Sequence, residues 1–109
     1  MNCYKPGNVV LVDLGETVGH EQKGKRPAVI VSHEFFSVII IVPLTTKEKP
    51  WWTVVEIEKG EGGLNERSFA LCHQLRAISV KRITNKFGSL KSDTLNKIKT
   101  VLANIFELE

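Results

Sequence analysis

Five consecutive β-branched residues, Val38 to Val42, do more than any other stretch to limit what this chain can become. Such side chains favour extended backbone, and a strand apolar on both faces belongs inside a core. Ser37 to Leu44 is therefore expected to be a buried strand. Valine-rich Asn8 to Leu14, ended by Gly15, and Pro27 to Ser32 read as two strands before it. Thr53 to Glu58 and Ser68 to Leu75 read as two strands after it, separated by a turn at Gly60 to Gly63. Short strands this close, without helices between them, predict a small barrel or sandwich. The C-terminus changes period. Ser92 is a candidate N-cap, Asp93 suits a first turn, and Leu95, Ile98, Leu102, Ile105 and Phe106 recur every three or four residues. That stripe predicts a terminal helix closing one side of a mainly β body, an α+β chain.

With 109 residues, 42% of them hydrophobic, the chain suits one domain spanning 1–109. A core of that size also makes association with a second copy a natural route to stability. No apolar run approaches the roughly 20 residues of a membrane span, and the first residues lack a signal-peptide pattern, so a cytoplasmic protein is expected. Cys3 and Cys72 form no CxxC pair, and Cys72 reads as a small buried side chain. His20, His33 and His73 have no ligand spacing, so neither a metal nor a cofactor is expected. His33 and His73 read as structural.

The net charge of +3 is a mild bias, but its distribution is uneven. From Arg67 to Lys99 the chain carries Arg67, Arg76, Lys81, Arg82, Lys86, Lys91, Lys97 and Lys99 against Asp93 alone. Lys23, Lys25 and Arg26 add a second basic group. This pattern suits a polyanion lying across one face.

Between the first two strands lies an eleven-residue connection, Gly15 to Lys25. Hairpin loops ordinarily span about two to five residues, and longer ones often persist because they act. Gly19 and Gly24 are hinge candidates around His20, Glu21, Gln22 and Lys23. Arg26 precedes Pro27, which biases it towards extended backbone at the mouth of the second strand. A second polar cluster, Pro43-Leu44-Thr45-Thr46-Lys47, sets hydroxyls where the third strand leaves the core. A third is Gln74-Leu75-Arg76, in which Gln74 and Arg76 would share one face of a strand. Each is also compatible with ordinary turn or surface chemistry.

Taken together and in order, these segments are specific. Gly19-His20-Glu21-Gln22-Lys23-Gly24-Lys25-Arg26-Pro27-Ala28-Val29 resembles the signature loop and second strand of the MazF/PemK toxins. Val9 to Asp13 precedes it, and Pro43-Leu44-Thr45-Thr46 and Gln74-Leu75-Arg76-Ala77-Ile78 follow in family order, so the resemblance runs from about Gly7 to Phe106. It implies an SH3-like β barrel of the MazF/CcdB type and a homodimer. It implies ribosome-independent, metal-independent cleavage of single-stranded mRNA, and an antitoxin partner whose acidic segment fills the RNA groove.

The resemblance also implies roles. Arg26 matches the family's arginine before proline and would steady charge on the scissile phosphate. Thr45 matches the active-site threonine and would donate a hydroxyl hydrogen bond. His20 matches a histidine used by some members as a base, a role an imidazole titrating near neutrality suits. By their own chemistry, Glu21 and Gln22 suit base edges, Lys25 and Arg76 suit the RNA backbone, and Thr46 and Gln74 join them as RNA contacts. Trp51 and Trp52 would stack on bases, unless a tryptophan packs in the barrel or at a dimer contact. Ser79 stands where the family commonly has aspartate, which argues against an aspartate base there. Two alternatives stay open: a CcdB-like gyrase poison, whose Trp-Gly-Arg-Ile-like ending this chain lacks, and a non-catalytic RNA-binding module.

Overall fold

A computed structural model describes residues 4–16, 18–22 and 24–108; Cys3 and Lys23 lie outside them. Over the described residues the chain forms strands β1 (Asn8–Asp13), β2 (Lys25–Ile30), β3 (Val38–Thr45), β4 (Val54–Ile57), β5 (Ser68–Leu71), β6 (Arg76–Ser79) and β7 (Ile83–Ser89), then helix α1 (Ser92–Ile105). Short 3-10 turns occupy Glu61–Gly63, Cys72–Gln74 and Val80–Arg82. The strands form one antiparallel sheet in the order β4-β5-β3-β2-β1-β7, with β6 also pairing β3. The mainly β body with a terminal helix is as expected. The sheet is open: among the described residues no ladder joins β4 to β7.

The apolar runs of β1 and β2, and of β3 from Ile41 onward, are buried on both sides of this sheet. Val38 and Ile40 are exposed, so the expected buried strand Ser37 to Leu44 is covered on only one face at its start. Val9, Val29, Val42 and Leu44 pack on one side with Val55, Ile57 and Ile98, and Leu95 and Leu102 of α1 lean against them. Val10, Val12, Ala28, Ile30, Ile39 and Ile41 pack on the other side with Ile78. Successive residues of a strand point to opposite faces, so a strand covered twice reads as an unbroken hydrophobic run, and the run in β3 extends past that cover to the bare face of Val38 and Ile40. Each buried valine or isoleucine contributes about 1.5–3 kcal/mol.

Three departures from the sequence reading matter. Ser68 to Leu75 is not one strand. Ala70 pairs Leu44 and Arg76 pairs Ile41, so six steps of chain face three, and the surplus bulges out as the Cys72–Gln74 turn. Gln74 therefore stands on a turn while Arg76 stands on β6, and the two do not share a strand face. β7 was not expected, because Ile83-Thr84-Asn85-Lys86-Phe87-Gly88-Ser89 is mostly polar. It forms by pairing with β1 at the sheet edge, where one side needs no apolar cover. Finally, Ser92 opens α1 but does not cap it. Lys91 is the N-cap without a side-chain bond, and its N–H donates to Glu61 Oε2 at 3.0 Å. Phe106 is the C-cap and lies exposed beyond the buried stripe.

Glu61–Gly63 presses against β7. A Cβ on Gly63, at φ +80°, would run into the Phe87 carbonyl oxygen. Only glycine satisfies both the left-handed backbone and that approach.

Candidate active site

The long loop is tied down at its base. Leu14 N–H donates to Gly24 O and Gly24 N–H to Gly15 O, both at 2.9 Å, with Gly15 and Gly24 at positive φ. Within the loop, Glu21 N–H bonds Val18 O at 3.3 Å, and Val18 N–H bonds Glu21 Oε1 at 2.9 Å. The loop's middle is fastened by Gln74. Its Oε1 accepts from Gln22 N–H at 2.8 Å and its Nε2 donates to His20 O at 3.2 Å. One side-chain amide thus bonds the loop's backbone through both of its polar ends, as a neighbouring strand would.

Arg26 and Thr45 meet in one pocket of about 270 Å3, shared with Thr46, Lys47, Leu44, Pro27 and Ser68. The Arg26 guanidinium donates through Nη1 to Leu44 O at 3.2 Å, which fixes it beside the last turn of β3. Partial burial pushes its pKa below the ordinary arginine value, because a cation loses water there. A guanidinium remains protonated even so, and a partly dehydrated cation strengthens its attraction for an anion. Thr45 Oγ1 accepts from Lys47 N–H at 3.2 Å, which leaves the hydroxyl hydrogen for donation. The arrangement therefore offers a fixed positive fork and a neutral donor side by side, the set that a phosphate gaining negative charge requires.

The other expected site residues line two further cavities. Arg76, Gln22, Glu21 and Gln74 line one of about 460 Å3, with Glu16, Pro43 and His73. His20 lines another, of about 580 Å3, with Glu21, Gln22, Gln74, Lys49, Trp51 and His73. Lys25 is exposed at the start of β2. The structure thus joins Arg26 with Thr45 and Thr46, and joins His20 with Glu21, Gln22 and Gln74. It does not set His20 among the residues lining the Arg26–Thr45 pocket.

His73, read from the sequence as structural, is exposed and lines both larger cavities. The sequence carries no separate signal for it, because Ser68 to Leu75 passes as one strand and only the Cys72–Gln74 turn brings His73 out to the cavities. Cys72 is buried as expected, and burial pushes its thiol up to about 12. Arg67, counted in the basic half, is engaged by Glu56 and Glu48. Among the described residues no cluster of three or more His, Cys, Asp or Glu side chains is placed to hold a metal ion, and no helix is long and apolar enough to cross a membrane.

Comparison with known proteins shows the family and the fold. Residues 5–106 match the family described as PemK-like, MazF-like toxin of type II toxin-antitoxin system. Endoribonuclease EndoA of Bacillus subtilis (strain 168) is 32% identical over 104 residues, covering 90% of each chain. The crystal structure of MazF from Deinococcus radiodurans superposes with a TM-score of 0.85 over 96% of this chain and 97% of that one, at 20% identity. An endoribonuclease in complex with its cognate antitoxin from a mycobacterial species gives a TM-score of 0.78 at 25% identity, over 100% of this chain and 98% of that one. An open antiparallel sheet with this loop, and a family match over nearly its whole length, place the chain among the PemK-like, MazF-like toxins of type II toxin–antitoxin systems.

Proposed function

We propose that this toxin is an endoribonuclease that cuts single-stranded mRNA at selected sequences, without the ribosome and without a metal ion. The observation that carries the reading is the pairing of Arg26 and Thr45 in one pocket at the end of β3. RNA supplies its own nucleophile. The 2′-oxygen attacks the adjacent phosphorus, the bond to the 5′-oxygen breaks, and that oxygen leaves with a proton. The products are a 2′,3′-cyclic phosphate and a free 5′-hydroxyl. Arg26 pairs with the non-bridging oxygens as their charge grows, and Thr45 donates to the same group. Glu21, Gln22, Thr46, Arg76 and Lys25 contact the flanking nucleotides. His20 is the candidate acceptor for the 2′-hydroxyl proton, and filling that role requires the glycine-hinged loop to move when RNA binds.

Homodimerisation and antitoxin binding belong to the same proposal. An apolar strip supports a second copy: Val38 and Ile40 on the outer face of β3, with Phe35 and Phe36 at the adjoining hairpin tip, are all exposed. An antitoxin is supported by the mycobacterial relative, solved in complex with its own.

The test is a long single-stranded RNA incubated with the protein in EDTA, its ends mapped, with Arg26→Ala as control. Discrete cuts bearing 5′-hydroxyls, lost in Arg26→Ala while RNA affinity persists, are expected. Intact RNA from a folded wild-type protein would overturn the reading in favour of a binding module or a gyrase-directed toxin.

A further inference from the structure

Beneath the loop, the cavity of about 580 Å3 holds a pair of rings that the cleavage chemistry does not use. Trp51 and His73 have centroids 5.4 Å apart and planes at 80° to one another. The imidazole is braced from one side, with Nδ1 2.8 Å from Thr53 Oγ1, so Nε2 is the nitrogen left for a ligand. Trp51 is 49% exposed, although a packed tryptophan would be covered, and the Lys49 ammonium lies 5.6 Å from its ring centroid. Trp52, more exposed still at 66%, is not among the residues lining this cavity.

Two rings at right angles make a corner, and a flat ligand seated in a corner rests its face on one wall and presents its edge to the other. We propose that this corner is a nucleobase subsite, taking one unpaired base of the RNA with its face on Trp51 and its edge at Nε2 of His73. Lys49 then meets the phosphate next to that base. The inference rests on the ribonuclease reading above and adds to it a residue pair that determines specificity. Arg26 and Thr45 line a different pocket, so the pair governs which sequence is held and not how the bond breaks. The two walls have separable effects. Stacking tolerates any base because every base has a π face, whereas a hydrogen bond to a base edge distinguishes one base from another.

The experiment compares wild type, Trp51→Ala, Trp51→Phe, His73→Ala and His73→Gln on RNAs carrying each base in turn around the mapped cut. Trp51→Ala is expected to raise KM about tenfold with a much smaller change in kcat, and Trp51→Phe to restore most of the loss. His73→Ala and His73→Gln are expected to relax or alter the base preferred at one position near the cut, a change that a merely structural role would not produce. In a Trp52→Phe background, titration with DNA homopolymers of A, C or T, which lack the nucleophile, is expected to quench Trp51 emission. Unchanged KM and base preference in the folded variants, with no quenching, would overturn the subsite. Quenching together with intact RNA in the cleavage assay would leave the subsite standing and overturn the ribonuclease reading instead.

Discussion

The β2–β3 ladder ends with Ala28 opposite Pro43, and Arg26 and Thr45 each stand two residues beyond that end and line one pocket. Pro27 lacks an N–H and fixes its own φ, so the guanidinium leaves the sheet at a defined point and finds the Leu44 carbonyl. The hydroxyl of Thr45 is needed only where charge develops. Thr45→Val, equal in shape but without the donor, is expected to lower single-turnover cleavage about a hundredfold with little change in KM, and Thr45→Ser to retain most of the rate. Full activity in the valine variant would remove Thr45 from the site. Cys72 shows the opposite use of burial. Its thiol is pushed up to about 12 because a thiolate would have to form in the apolar core. The unfolded chain ionises at the ordinary thiol value, so the stabilisation is complete below that value and is lost as pH rises through it towards 12. In a Cys3→Ser background, unfolding free energy should therefore be insensitive to this group below about pH 8 and fall above about pH 9. That alkaline fall should shrink in Cys72→Ala; an identical slope in both proteins would show that other groups set it.

The Cys72–Gln74 turn is the element on which the larger cavities depend. By bulging away from β3 it sets Gln74 under the loop, where the amide holds Gln22 N–H and His20 O. Gln74→Ala removes both bonds, and two partly exposed bonds of this kind are worth about 1–2 kcal/mol together. Hydrogen exchange at the Gln22 amide should quicken and limited proteolysis within 15–25 should begin, while the far-UV spectrum stays unchanged. Exchange as slow as in wild type would show that the loop is held by its base alone. This turn also marks where sequence reading stopped. β1 to β4 were legible because burial on one or both faces leaves a hydrophobic pattern, and α1 because its stripe keeps a helical period. β7 left no such pattern, being held by backbone pairing to β1 with one side in water. The bulge was hidden for a different reason: Ser68 to Leu75 is apolar enough to pass as one strand, and only the register against β3 exposes the surplus residues. The site was legible to the same degree. Arg26 and Thr45 stand out beside a proline and at a strand end, whereas Trp51 and His73 are distant in sequence and meet only through the turn.

At the scale of the molecule, α1 packs on one face of the sheet and Ile78 of β6 joins the cluster on the other, yet among the described residues an apolar strip at the start of β3 is left uncovered. Phe36 is 100% exposed and holds φ 50° at the hairpin tip, followed by Ser37 at φ 66°. A left-handed backbone costs a non-glycine residue about 1–2 kcal/mol, and a bare phenyl ring adds a penalty in water. Next to it Val38 and Ile40 point outward, and their partners across the ladder, Ser79 and Ala77, are too small to cover them. A monomer has no use for this combination, but a second copy meeting the strip about a twofold axis would bury it on both sides at once, because an isologous contact uses the same residues twice. Ile40→Glu would then place a carboxylate from each copy within that contact. It is expected to yield a folded monomer by sedimentation, with a melting temperature independent of protein concentration, whereas the wild type's is expected to rise with it. Phe36→Ser should weaken association less, since a hairpin tip lies towards the rim of such a contact and rim contacts carry less energy than the centre. A wild-type protein that sediments as a monomer, or an Ile40→Glu variant that associates as tightly as wild type, would assign the strip to another partner, and the antitoxin would be the first to test.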